Sequence, residues 1–201
     1  MKKSDDQTNS ILVVSPSQSM EQLVRRVLFG KSHPVIDYRK TCTLARRALL
    51  ENKYDIVIID CPLSEEIGYD FAMDICEEYD ASVLIITPPE IYDDVMEYVS
   101  DRVILALSKP VSEEFLIRGV RFLSAIQNRM KHYENKVASV EDKMEELKLV
   151  NRAKMLLMEK KHITESEAHR LIMKEAMDHS VGKKYVARSI IDSLSYTRNK
   201  V

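Results

Sequence analysis

Residues 113–151 constrain this chain more than any other stretch. They contain one glycine, Gly119, no proline and no cluster of turn formers. The apolar side chains fall at Leu123, Ile126, Met130, Tyr133, Val137, Val140, Met144 and Leu147. Their spacing alternates three and four, which places them at the a and d positions of a heptad. A helix over this stretch runs about 58 Å at 1.5 Å per residue. Alone, it leaves the stripe in water. The stripe therefore requires a partner, most simply a second copy of the chain. Packing on the chain's own core is the competing reading, but a strict a/d stripe is narrower than the face of a core helix.

The flanking charges set the orientation of the pair. The g positions are Arg129, Lys136 and Lys143, and the e positions are Glu134, Glu141 and Lys148. In a parallel pair, g faces the following e of the other helix, so Arg129 meets Glu134 and Lys136 meets Glu141, against one Lys143–Lys148 repulsion. An antiparallel pair sets basic against basic. The pattern predicts a parallel homodimer.

At 201 residues the chain holds one ordinary domain and a smaller unit. Its formal net charge is −2, but the two parts differ. Residues 1–150 carry 19 Lys and Arg against 26 Asp and Glu, whereas residues 151–201 carry 11 against 6. An acidic front and a basic tail direct a polyanion to the tail. Cys42, Cys61 and Cys76 have neither metal-ligand spacing nor a redox pair, the usage of a reducing cytoplasm. The first ten residues are polar, with no apolar h-region, and are expected to be disordered and not a signal peptide. No apolar run approaches 18 residues, so no membrane span and no membrane partner are expected.

Short apolar runs alternate with helical patterns in the first half. Strands are expected at Ile11–Val14, Val35–Tyr38, Tyr54–Ile59, Val83–Ile86 and Val103–Leu107. Helices are expected at Ser17–Phe29, Thr41–Glu51, Glu66–Tyr79 and Glu90–Tyr98. Unbroken apolar strands in five strand–helix units predict an α/β fold, with a parallel sheet covered on both faces. No GxGxxG or P-loop follows a strand, which argues against a nucleotide cofactor. Chemistry in such sheets sits beyond the carboxyl ends of the strands. Asp60, Thr87 and Lys109 fall there.

These residues, with ILVV at 11–14, IIDCPL at 58–63, Gly68, IIT at 85–87 and SKP at 108–110, resemble a response-regulator receiver domain. The resemblance implies a flavodoxin-like five-stranded sheet of order 2-1-3-4-5. It also implies that Asp60 is the phosphoacceptor, that Thr87 senses the phosphoryl group and that Lys109 pairs with it. Receivers carry an acidic pair after the first strand to hold Mg²⁺, a hard ion that wants carboxylate oxygens. Here Ser15 and Pro16 stand there, followed by Ser17. The aromatic that family members carry three residues before the lysine is Ala106. The expectation is a degenerate receiver with a vestigial Asp60–Lys109 ion pair, no metal and no phosphorylation switch. Weak phosphorylation at Asp60 is the alternative.

Beyond Leu147 the pattern changes to three helices. The first continues the long helix to about Met158. The second starts at a capping box of Thr164 and Glu167 and runs to about His179, where Gly182 ends it. The third runs from about Lys183 to Leu194. Ala153-Lys154, Leu157-Met158, Glu165–Ala168, Ala176-Met177, Val186-Ala187 and Ile190-Ile191 are similar in order and spacing to the ANTAR domain, an RNA-binding module of transcription antitermination regulators. Two positions depart: His169 stands for the family's aromatic, and Met173, beside Lys174, for its arginine.

The boundaries expected are 1–10 for the N-terminal segment and 11–122 for the receiver-like domain. The coiled-coil helix covers 113–151 and the RNA-binding domain 150–201. The candidate RNA contacts are Lys154, Lys160, Lys161, His169, Lys174, Lys183, Lys184 and Arg188, cations able to neutralise phosphates plus one stacking ring. Arg170 belongs to the same cationic set. Tyr185 adjoins core positions and reads more readily as core than as a stacking platform, and the Ala, Leu and Met positions read as core. The resemblance implies a dimeric antitermination regulator that binds stem-loops in a nascent transcript and has no catalytic step. A regulatory protein partner at the receiver-like domain is a further expectation. A phosphorylation-switched regulator using Asp60, a DNA-binding regulator and a structural adaptor are the alternatives.

Overall fold

The computed structural model describes residues 9–28, 35–63 and 68–195. The expected disordered segment at 1–10 lies mostly outside them. The chain divides into two compact units, 1–131 and 132–201.

In the first unit, strands β1 (Ser10–Val14), β2 (Val35–Arg39), β3 (Ile56–Asp60), β4 (Ser82–Thr87) and β5 (Ile104–Ser108) form one sheet of order β2-β1-β3-β4-β5. All neighbouring pairs are parallel. The helices are α1 (Gln18–Leu28), α2 (Cys42–Glu51), α3 (Gly68–Glu78), α4 (Tyr92–Tyr98) and α5 (Glu113–Lys161), with a 3₁₀ turn at Pro89–Ile91. Every residue of β3 and β4 is buried. Alternation divides their side chains between two cores, as the pleat requires. Leu12, Val14, Val57, Ile59, Val83 and Ile85 pack with α2, α3 and α4. Ile11, Val13, Ile56, Ile58, Leu84 and Ile86 pack with α1 and the first turns of α5.

Helix α5 lies close to this sheet because Gly119 has no side chain. A Cβ there would meet Leu84 Cδ1 at 2.9 Å and Leu105 Cδ2 at 3.0 Å. The buried Gln127 then donates to Ser82 Oγ at 3.0 Å and to the Asp80 carbonyl at 3.2 Å. Lys131 pairs with Asp55.

The heptad reading needs correction at its first two positions. Leu123 is 1% exposed within the sheet's second core, and Ile126 packs against the same core. Over two turns a 3.5-residue repeat and the 3.6-residue period of a core-facing helix are indistinguishable. The first two a/d residues therefore serve the chain's own sheet and are not free for a partner. From Met130 the stripe is exposed: Met130, Tyr133, Val137, Val140, Met144 and Leu147 are between 41% and 61% exposed.

In the second unit, the end of α5 packs with α6 (Glu165–Asp178) and α7 (Lys183–Ser195). Ala153, Leu157, Ala168, Ile172, Val186 and Ala187 form its core, with Val150, Ala176 and Ile191. Thr164 and Glu167 make the expected capping box. The expected end of α6 is corrected. Ser180, with φ of 52°, carries the left-handed turn, and Gly182 does not have positive φ. Ser180 donates its N–H to the Met177 carbonyl and Val181 to that of Ala176, a Schellman motif. Gly182 instead accepts the first backbone bonds of α7, from Tyr185 and Val186. Helix α5 ends on His162, also left-handed with φ of 55°.

Two left-handed positions without glycine leave stability unclaimed. Ser180→Gly and His162→Gly should each stabilise the chain, by about 0.5–1 kcal/mol, the usual left-handed cost of a Cβ offset by glycine's chain entropy. Chemical denaturation checks this, and a fall in midpoint for both variants refutes it.

Candidate functional site

Asp60 ends β3, Thr87 ends β4 and Lys109 follows β5, so parallel pairing brings all three to one edge of the sheet. Asp60 is 3% exposed. Ser15, just beyond β1, donates from Oγ to Asp60 Oδ2 at 2.6 Å. The Lys109 ammonium lies 2.7 Å from Asp60 Oδ1, an ion pair without a well-directed hydrogen bond, and donates to the Cys61 carbonyl. The Lys109 backbone N–H donates to the Thr87 carbonyl at 2.9 Å. The Thr87 hydroxyl is fully buried and has no partner among the described residues. Burial, reinforced by the Asp60 charge, pushes the Cys61 thiol up to about 11, so this neighbour is not a nucleophile at neutral pH.

The residues present do not suit the Mg²⁺ that the receiver resemblance implies. Asp60 is the sole carboxylate among the residues bonded at this edge, and Ser15 and Lys109 already cover its oxygens. No group of three or more His, Cys, Asp or Glu able to hold a metal occurs among the described residues. Ser15 was read from the sequence as a lost ligand. Its hydrogen bond to Asp60 needed the fold, because the two residues are 45 positions apart.

The candidate RNA-binding residues in the second unit fall into two groups. Lys154 pairs with Glu165 at 2.7 Å. Lys184 pairs with Asp142 and Glu145, both at 2.6 Å, and Arg188 lies 3.4 Å from Glu145. These three cations are tied to carboxylates of their own unit. Lys161, Lys174 and Lys183 have no ion pair among the described residues, and Lys160 makes only a 4.0 Å contact with Glu159. His169 is exposed. Three core assignments are overturned. Tyr185 is 68% exposed, and Met158 and Met177 are exposed at 39% and 75%. Each sits one residue from a buried position, but on the outward side of its helix: Val186 beside Tyr185, Leu157 beside Met158 and Ala176 beside Met177. Neither Asp142 nor Glu145 was singled out in the sequence. Both lie on α5 outside the a/d stripe, a position that suited solvent equally well.

The ion pairs shift their members. The hydrogen bond from Lys184 holds Glu145 below its ordinary value of 4.5, and that from Lys154 does the same for Glu165. The Thr164 backbone N–H holds Glu167 down. Hydrogen bonding to Asp142 and Glu145 raises Lys184 above 10.5.

A receiver domain sheet with a three-helix tail defines the class, and comparison with known proteins agrees. The response regulator receiver domain model matches residues 11–121, and the ANTAR domain model matches residues 138–191. The transcriptional regulatory protein PdtaR of Mycobacterium tuberculosis is 31% identical over 144 residues, covering 71% of this chain and 70% of that protein. Two solved structures share the fold. The signal receiver domain of an HD domain-containing protein from Pseudomonas fluorescens has TM-score 0.57 at 18% identity, covering 66% of this chain and 98% of that one. A response regulator receiver domain protein from Clostridium thermocellum has TM-score 0.54 at 22% identity, covering 62% and 98%. The chain belongs to the ANTAR-type response regulators, a regulatory family. No helix of the described residues is long and apolar enough to cross a membrane.

Removing Ser15 Oγ leaves a buried carboxylate oxygen without its donor, so Ser15→Ala should cost about 1–3 kcal/mol. Lys109→Ala leaves the buried charge uncompensated, which costs about 3–5 kcal/mol in a fully buried pair. Because Lys109 is 34% exposed, the loss here should be nearer 2–3 kcal/mol. Adding Asp60→Asn to Lys109→Ala should recover most of it. Denaturant titration of the single and double variants decides; additive losses refute the pairing.

The depressed carboxyls also set an acid limit. Groups with lower pKa folded than unfolded stabilise the fold in full above 4.5, and this is lost as pH falls through their folded values. Lys184 acts in the opposite direction, contributing below 10.5 and losing its effect above that pH. Helical melts from pH 7 to 3 should show Tm falling below pH 4.5, less steeply for Glu145→Gln. An equal slope in the variant counts against the Lys184 clamp.

Proposed function

We propose that this chain is an RNA-binding transcription antitermination regulator. It acts as a parallel homodimer, and its C-terminal domain, 150–201, takes stem-loops in nascent transcript. The observation that carries this reading is the basic three-helix unit, matched to the ANTAR domain, on a helix whose apolar stripe from Met130 to Leu147 is exposed among the described residues. Pairing two copies buries that stripe and sets Arg129 against Glu134 and Lys136 against Glu141. Two linked heads then bind paired stem-loops more tightly than either alone, because the second contact is intramolecular.

Lys160, Lys161, Lys174 and Lys183, with His169, are the first contacts offered to RNA. Lys154, Lys184 and Arg188 first have to exchange a carboxylate for a phosphate. The receiver-like domain, 11–122, works without phosphorylation as a docking or dimer-modulating module for a protein partner. The support is the hydrogen-bonded, charge-compensated Asp60 and the absence of acidic residues at 15 and 16. The three cysteines, none of them in a disulfide, suit work in the cytoplasm.

Sedimentation should give a dimer at micromolar concentration, and Val137→Glu with Met144→Glu should give monomers. Gel shifts in dilute salt should favour hairpin RNA over duplex DNA. Incubation with Mg²⁺ and a small phosphodonor should leave the mass unchanged. A stable phosphoryl adduct at Asp60 would make the chain a kinase-switched regulator, and a monomer that ignores hairpins would remove the reading altogether.

A further inference from the structure

In the first unit a cavity of about 600 Å³ opens beside the Asp60 edge, between the start of α1 and the segment after β5. The volume falls within the range of small-ligand pockets. Its walls are apolar: Met20 and Leu23 come from α1, Pro110 and Val111 from the segment after β5. Four polar side chains reach it, Ser17, Ser19, Asp60 and Lys109. The Ser17 and Ser19 Oγ atoms lie 2.7 Å apart and bond to each other, and the Met20 N–H donates to Ser17 Oγ at 3.4 Å. The start of α1 is thus capped by a neutral hydroxyl and offers an anion less than a bare helix end would.

The two charges of the cavity cancel, because the Lys109 ammonium stands 2.7 Å from Asp60. An anion drawn to the ammonium meets the carboxylate behind it, and a cation meets the reverse. Either ion also gives up its hydration on entering apolar walls, with little net attraction in return. An uncharged guest avoids both losses. The charge balance therefore selects a neutral occupant, and the walls select an apolar one. One polar feature remains to orient it. An ammonium has three N–H donors. That of Lys109 donates to the Cys61 carbonyl and faces Asp60, and its side chain is 34% exposed, so a donor is open to an acceptor oxygen. We propose that this cavity binds an uncharged, largely apolar small molecule that carries one acceptor oxygen, such as a ketone, ester or amide. Its body lies against Met20, Leu23, Pro110 and Val111, and its oxygen accepts from Lys109. Asp60 serves as the counter-charge that keeps the site neutral. Occupancy gives the receiver-like domain an input that needs no phosphoryl transfer. The site is independent of the RNA-binding reading.

The test uses the full chain and three ligands of one shape: acetylnaphthalene, which is uncharged, the anion naphthoate and the cation naphthylmethylammonium. Methyl NMR reports where each binds. The ketone should shift the Met20 and Val111 methyl resonances, and both ions should bind about tenfold more weakly. Ser19→Trp, at the exposed mouth of the cavity, should abolish the ketone shifts with unchanged circular dichroism. Asp60→Asn leaves the ammonium unbalanced, so naphthoate should gain about tenfold relative to the ketone. Naphthoate bound by the unmodified protein as tightly as the ketone overturns the proposal. So does ketone binding that Ser19→Trp leaves intact, or a ketone-to-naphthoate ratio that Asp60→Asn does not move. The absence of any methyl shift at millimolar ketone overturns it as well.

Discussion

Helix α5 keeps one helical phase for 49 residues, and both cores of this chain depend on it. Its first turns cover the sheet through Leu116, Val120 and Leu123. Its last turns supply Val150, Ala153 and Leu157 to the small bundle. Between them neither core covers it, and its apolar residues remain in water. Fully burying such a side chain is worth about 1.5–3 kcal/mol, and these six, already half-buried, offer part of that each before the cost of association is subtracted. The small bundle gains from this arrangement. About fifty residues enclose too little apolar surface to be comfortable alone, and a helix shared with a larger unit supplies one wall already ordered.

At the sheet's edge the deciding quantity is charge. A carboxylate buried to 97% is costly unless its oxygens are met by donors or cations. Ser15 meets one oxygen with a neutral hydroxyl and Lys109 meets the other with a positive charge. That arrangement sets a donor on one oxygen and a compensating charge beside the other. Cys61, whose thiol is pushed up to about 11, adds no second nucleophile. The site keeps the receiver's aspartate, threonine and lysine, with Ser15 hydrogen-bonded to the aspartate.

The same competition recurs in the small bundle. Lys184 and Arg188 are candidate RNA contacts by sequence as cations able to neutralise phosphates, yet Asp142 and Glu145 hold them. An ion pair between residues some forty positions apart has no signature in a single sequence. Tyr185 was hidden for a related reason. It precedes Val186, a core position, and one step along a helix turns a side chain by about 100°, enough to move it from core to surface. The capping box of Thr164 and Glu167 was legible because both partners lie within one turn.

Local chemistry determined the elements: apolar runs for buried strands, spacing of three and four for helices, and Thr164 for a helix start. Order along the chain determined that Asp60, Thr87 and Lys109 share an edge, since parallel strands put their carboxyl ends on one side. Only the tertiary structure decided which heptad residues were already used, because Leu123 and Val137 have the same spacing but only Leu123 meets the sheet. It alone decided which lysines face carboxylates and where Ser15 donates its proton. Those depend on distances across the fold, and short-range pattern carries no information about them.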